Sequence, residues 1–214
     1  MPGWGVLFAS SARPEEPVAF SSQWTGRVFS YRVRPGDFLL GIRSRFGVSL
    51  GALVRENGLR DPDLLLPGQT LRIDSRHIVP PSLTDGILIN LPEKMLFDFS
   101  KGRLVLSVPV ALGKPSWPTP AGPFRIVGKR VEPDWVVPPS IQEEMRREGK
   151  KVLIRVPPGP DNPLGHYWLG LSLPNLGIHG TNAPSSIYTM TTHGCILLRP
   201  EDIAALFGRA APSM

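Results

Sequence analysis

Twenty-five prolines and 22 glycines among 214 residues restrict this chain more than any other feature. Proline lacks a backbone N–H and fixes φ, while glycine loses more backbone freedom on ordering than any other residue, so both interrupt long helices. Only 8% of the residues are aromatic, yet 41% are hydrophobic. A core is therefore affordable, but one assembled from many short strands and turns. The length suits one large domain, or a small domain ahead of a medium one.

The formal charge of +6 and a pI near 9.9 favour an anionic partner. Charge alone does not choose among wall polymer, nucleic acid and a membrane surface. No arginine-rich helix, zinc-finger spacing or aromatic–basic repeat of the nucleic-acid-binding kind is present, so nucleic acid is set aside. No run approaches the roughly 18 apolar residues of a spanning helix. The single cysteine, Cys195, excludes an internal disulfide and leaves the redox compartment open.

Taken in order, residues 1–28 read as a flexible leader. Val6-Leu7-Phe8-Ala9 is apolar but has no basic residue ahead of it, which makes a poor signal peptide. Residues 29–75 read as a compact β-α-α-β unit. Tyr31-Arg32-Val33 alternates as a strand does, and Pro35-Gly36-Asp37 is a turn whose Asp is placed to cap the following helix. Phe38, Leu39, Ile42 and Phe46 fall at helical spacing up to Gly47; Ser49 caps a second helix that closes at Asn57-Gly58; Pro67-Gly68-Gln69 leads into the strand Thr70–Ile73. Residues 76–86, with Pro80-Pro81, read as a proline-stiffened tether, so the first unit is expected to anchor the second without shaping it. Residues 87–209 read as a mostly-β domain: strands at Ile87–Ile89, Met95–Phe99, Leu104–Val110, Arg125–Val127 and His166–Leu169, a polar stretch Trp135–Gly149 with a short helix, and a final helix opened by Pro200-Glu201-Asp202. Residues 210–214 form a tail.

Chemistry concentrates between Ile178 and Arg199, which holds Cys195, His179 and His193. A thiol attacks carbonyls as the thiolate, which requires a base nearby and N–H donors where the oxyanion forms. Gly194 permits close backbone approach and oriented N–H groups, and a loop of about a dozen residues lets His179 fold back against Cys195. A buried structural cysteine is the plainer reading of such a residue. Zinc is a third, but no fourth ligand is evident and the His-x-Cys spacing is cramped.

His179-Gly180-Thr181-Asn182 followed by Thr192-His193-Gly194-Cys195 resembles the signature of the L,D-transpeptidases, the YkuD-like enzymes that cross-link bacterial peptidoglycan. Gly113-Lys114, the Pro118-Thr119-Pro120-Ala121-Gly122-Pro123-Phe124 block and Pro157–Gly165 are similar to further segments of that family. The first unit, with Tyr-x-Val-x-Pro-Gly-Asp and Leu-x-Pro-Gly-Gln-x-Leu, resembles a LysM domain. These resemblances imply a β-sandwich catalytic domain behind a LysM module in the bacterial cell wall or envelope, acting on peptidoglycan with no cofactor or metal. They imply Cys195 as nucleophile, His179 as its base with Gly180 O fixing the tautomer, and N–H groups of Gly194, Cys195 and His193 at the oxyanion. Thr192, Trp168 and Arg199 are expected at the substrate, and Trp135–Gly149 as a lid. Stem peptides are the implied substrate, and N-acetylglucosamine glycan the implied LysM ligand at Pro35, Gly36, Asp37, Asp63 and Leu64. One departure stands out: where the family has an arginine two residues past the cysteine, this chain has Leu197. Strand alternation places Arg199 on the same side about 7 Å further on, as a replacement.

Overall fold

A computed structural model describes residues 23–81 and 83–210; most of the expected leader lies outside the described residues. The N-terminal unit is built from β1 (Trp24–Thr25), β2 (Val28–Arg32), α1 (Leu39–Phe46), α2 (Leu50–Asn57), β3 (Thr70–Asp74) and β4 (His77–Ile78). Strands β2 and β3 pair antiparallel, with Tyr31 opposite Leu71. Both helices stop where L-residues become costly: Gly47 and Gly58 take left-handed φ of 64° and 58°. Ser49 caps α2 as its position suggests, its Oγ accepting from the N–H of Ala52 at 3.1 Å. Leu39, Ile42, Val48, Leu53, Leu71 and Ile73 form the small core.

Asp37 does not cap α1. The N-cap is Phe38, without a side-chain bond, and Asp37 Oδ2 instead accepts from Tyr31 Oη (2.6 Å) and the N–H of Arg34 (2.8 Å). It pins the turn to the strand before it. The boundaries also move. Trp24–Thr25, read as leader, pairs with His77–Ile78, read as tether; two-residue strands are too short to show a period in sequence. Val79 is buried among Met95, Phe97 and Phe99, so the segment after β3 is a wedge between the two units.

The larger unit contains β5 (Gly86–Asn90), β6 (Met95–Ser100), β7 (Arg103–Pro109), β8 (Leu112–Gly113), β9 (Ile126–Val131), β10 (Trp135–Val136), α3 (Pro139–Arg147), β11 (Arg155–Val156), β12 (Tyr167–Leu171), β13 (Gly177–His179), β14 (Met190–Thr192), β15 (Ile196–Leu197) and α4 (Pro200–Arg209). Strands β5-β6-β7 make an antiparallel sheet whose β6–β7 turn has Lys101 and Gly102 both at positive φ, the geometry that matches hairpin twist. A second sheet runs β15-β13-β12-β9, with β15 parallel to β13. Leu96, Val108, Leu169, Ile178, Ile196, Ile203 and Leu206 bring both sheets and α4 into one core. The domain is mainly β, and its second sheet carries His179 at the end of β13.

The two units are docked. Gly47 lies where an added Cβ would meet His77 Nε2, Met95 Sδ and Pro109 Cβ at 3.2–3.3 Å, and the His77 ring nitrogen lies 3.0 Å from Gly47 O. Arg43 of α1 donates to Ser185 O at 3.1 Å and to Ile187 O at 3.5 Å. Both acceptors belong to the loop between His179 and Cys195. Tyr188, at φ 69°, sits edge-on to His77 and beneath Lys94.

Candidate active site

Strand β13 delivers His179 to the floor of a cleft of about 870 Å³. Cys195, in the turn ahead of β15, lines the same cleft together with Trp168, Thr192, His193, Gly194 and Leu197. His179 is only 4% exposed. Its Nδ1 lies 2.7 Å from Gly180 O, an atom that only accepts, so the neutral ring carries its proton there and presents a lone pair at Nε2. Burial pulls its pKa down to about 4, partly offset by the Gly180 and Leu164 carbonyls. At neutral pH the ring is an uncharged base.

Trp168 faces His179 across the β12–β13 pair and stacks on it, with centroids 5.3 Å apart and planes 23° from parallel. Gly177, two residues before His179 on the same face, makes room for the indole: a Cβ there would lie 2.5 Å from two of its ring atoms. This glycine carries no motif signal of its own, and its need is visible only once β12 lies alongside.

Cys195 rests as a thiol. Its Sγ donates to Asn175 O at 3.5 Å, and burial pushes its pKa up to about 11 against a partial opposing effect of a Gly177 backbone hydrogen bond. Gly194 takes φ 104°, and the nearest atom to an added Cβ is Pro118 O at 3.7 Å, so the backbone angle, more than crowding, calls for glycine. The Gly194 N–H, expected at the oxyanion, donates instead to Thr192 Oγ1 at 3.1 Å; Thr192 Oγ1 in turn donates to Cys195 O at 2.7 Å. Thr192 therefore shapes the cysteine turn.

Thr119 supports the same turn from the opposite wall. Its hydroxyl donates to Gly194 O (2.9 Å) and accepts from the N–H of Gly113 (2.8 Å). Above the cleft, Glu144 of α3 places one carboxylate oxygen on Lys114 Nζ and the other on His193 Nε2, and these two contacts, Lys114 foremost, hold its pKa down at about 2. Trp117 meets the His193 ring edge-on at 5.1 Å. Asn162, buried, ties the base of this region by donating to Pro133 O at 2.8 Å and accepting from the N–H of Leu164. Thr119, Lys114 and Asn162 lie inside segments the family resemblance picks out without a role; Glu144 sits on a polar helix with no signal beyond its charge. Among the described residues, no group of three or more His, Cys, Asp or Glu side chains converges as metal ligands would.

Arg199 is not among the residues lining the cleft. Its Nε meets Glu201 at 2.6 Å and its Nη1 reaches Ser44 of α1 at 3.4 Å. The alternation argument does not extend to it because β15 ends at Leu197 and Arg199 is already the N-cap of α4. In the N-terminal unit, Leu64 and Leu66 are each 61% exposed on the loop after α2, Pro35, Gly36 and Asp63 are exposed, and Asp37 is engaged by its turn.

The model of the L,D-transpeptidase catalytic domain matches residues 84–213, and that of the LysM domain matches residues 31–74. Among curated relatives, the chain is 33% identical over 166 residues to the probable L,D-transpeptidase ErfK/SrfK of Salmonella typhimurium, covering 77% of this chain and 53% of that protein. It is 36% identical over 149 residues to the probable L,D-transpeptidase YbiS of Escherichia coli, covering 68% and 48%. The putative L,D-transpeptidase YkuD of Bacillus licheniformis is 31% identical over 176 residues, covering 82% and 90%. The chain thus spans about half the length of the enterobacterial relatives and nine tenths of the Bacillus one. A solved L,D-transpeptidase 3 from Mycobacterium tuberculosis aligns with a TM-score of 0.47 at 13% identity, covering 70% of this chain and 74% of that one. With more than half of its residues matched, and the histidine, glycine and cysteine of the signature gathered on one cleft, the chain belongs to the L,D-transpeptidase catalytic-domain family and carries a LysM domain ahead of it.

Proposed function

We propose that this protein is a peptidoglycan L,D-transpeptidase that forms 3→3 cross-links through a cysteine thioester. The observation that carries this reading is that Cys195 and a neutral, tautomer-fixed His179 line one cleft. In the reaction, the thiol proton passes to His179 Nε2 as Sγ attacks the carbonyl of the third residue of a tetrapeptide stem, a diaminopimelate or its equivalent. The C–N bond to the terminal D-residue then breaks, His179 returns the proton to the departing amine, and a thioester remains. The side-chain amine of a neighbouring stem attacks that thioester, gives up its proton through His179, and leaves the amide cross-link with the thiol restored. Water in place of the amine gives carboxypeptidase turnover.

With the Gly194 N–H engaged by Thr192, the backbone N–H groups of Cys195 and His193 serve the developing oxyanion. Trp168 holds the imidazole plane and walls the donor side of the cleft. The LysM unit holds N-acetylglucosamine-containing glycan at the turn Pro35–Gly36 and the loop that carries Asp63 and Leu64, whose exposed apolar surface suits a sugar face. The site of action is the cell wall or envelope. Among the described residues no helix is long and apolar enough to cross a membrane.

The test is intact-protein mass after incubation with a tetrapeptide stem and, separately, a carbapenem, which family resemblance makes a ligand of this thiol. A covalent adduct on the wild type, absent in Cys195→Ser, supports the reading. Turnover of a stem by Cys195→Ser at the wild-type rate refutes it.

A further inference from the structure

The carboxylate of Glu144 bridges two donors that belong to the cysteine side of the cleft, although Glu144 itself comes from the helix above it. The backbone of Lys114 and the ring of His193 are held in place. The Lys114 N–H is bonded to Thr192 O at 2.8 Å, the N–H of Trp117 bonds back to Lys114 O, and Trp117 supports the His193 ring. Helix α3, by contrast, buries only Ile141 of its nine residues, and its Glu143–Arg146 pair faces solvent. Two donors, His193 two residues and Lys114 about 80 residues from the nucleophile, covered by a carboxylate on the less anchored partner, form a seat whose occupant is exchangeable.

We propose that Lys114 and His193 bind a carboxylate of the donor peptide, and that Glu144 fills this seat only while no peptide is bound. The inference rests on the function proposed above. A stem that presents its scissile carbonyl to Cys195 carries a carboxylate on either side of it, the terminal one and that of the third-residue side chain, and either is a like-for-like replacement for Glu144. Exchange of one carboxylate for another leaves no cation stranded in the partly closed cleft, where an unpaired charge is costly. The side-chain exposures of 25% for Lys114 and 29% for His193 leave the seat reachable from solvent, and His193 itself lines the cleft. Charge-assisted bonds are also the stronger class, so the seat both orients the peptide and favours acids over amides.

The experiment measures, by calorimetry, binding of a tetrapeptide stem to the inert Cys195→Ala protein and to the same protein carrying Glu144→Gln, Lys114→Met or Lys114→Arg. Three ligands are compared: the free acid, the terminal amide and the side-chain amide. Glu144→Gln should tighten the free acid several-fold, since a competitor is removed, and Lys114→Met should weaken it about tenfold while Lys114→Arg does not. One of the two amides should bind as weakly as the free acid does to Lys114→Met, and should be indifferent to that substitution; which amide it is identifies the carboxylate. If Glu144→Gln weakens the free acid, or Lys114→Met weakens all three ligands equally, the pair is a lid latch and the seat is refuted while acyl-enzyme formation still stands. If no stem binds any variant, both the seat and the proposed function fall.

Discussion

A cysteine paired with a base is expected to react as a preformed thiolate, and the structure argues against that here. Burial sets the Cys195 thiol near pKa 11 and His179 near 4, so at neutral pH both partners are uncharged. Relative to a free thiol of pKa about 8.5, the thiolate fraction at pH 7 falls about 300-fold. A more basic thiolate is more nucleophilic, which with a Brønsted slope of about 0.4–0.5 returns some 10–20-fold, leaving reaction with a small neutral disulfide about 20-fold slower than for free cysteine. Access to the cleft slows all pH values alike, so the decisive quantity is the pH slope. We expect the rate, followed by intact mass, to climb about tenfold per unit between roughly pH 6.5 and 9.5 without a plateau. His179→Gln should change this slope little, yet lower acylation by substrate by about 10²–10⁴, because the imidazole acts when the proton moves and not before. A plateau at or below pH 7 that disappears in His179→Gln would show a resting ion pair and refute the reasoning.

Thr119→Val removes a hydroxyl that satisfies two backbone groups; a loss of about 2–4 kcal/mol in denaturant unfolding is expected, with slower acylation because Gly194 O is released. Arg43→Ala should cost about 2 kcal/mol and slow acylation of small soluble peptides as well, since Arg43 anchors the loop at Ser185 and Ile187; unchanged turnover would restore the picture of an independent tether. His179 also couples stability to pH. Its folded pKa of about 4 lies below the usual 6.5, so the unfolded chain binds the extra proton, and about 3 kcal/mol is lost as pH falls through that window; the stability difference between wild type and His179→Gln should be constant above about pH 6.5 and shift by about that amount against the wild type towards pH 4. Arg199→Ala should leave the acylation rate within about twofold, and a larger drop would return Arg199 to the substrate.

The sequence by itself determined what depends on near neighbours. Gly47 and Gly58 end helices because left-handed φ is a local property, Ser49 caps because its hydroxyl reaches three residues on, and Lys101-Gly102 turns a hairpin for the same reason. That His179 and Cys195 share one cleft was legible as well, since a histidine and a cysteine at strand edges joined by one loop need only that loop to come together. Tertiary structure decided whatever depends on residues far apart in the chain. Gly177 is required by Trp168, the Thr192 hydroxyl takes up the amide of Gly194, and Glu144 meets His193 across 49 residues. Arg199 shows the limit most clearly: its facing follows from where β15 stops and α4 begins, and its partner Ser44 lies 155 residues earlier in the other domain. The same holds for the pKa values of Cys195 and His179, because desolvation is set by everything packed around a group and has no period along the chain.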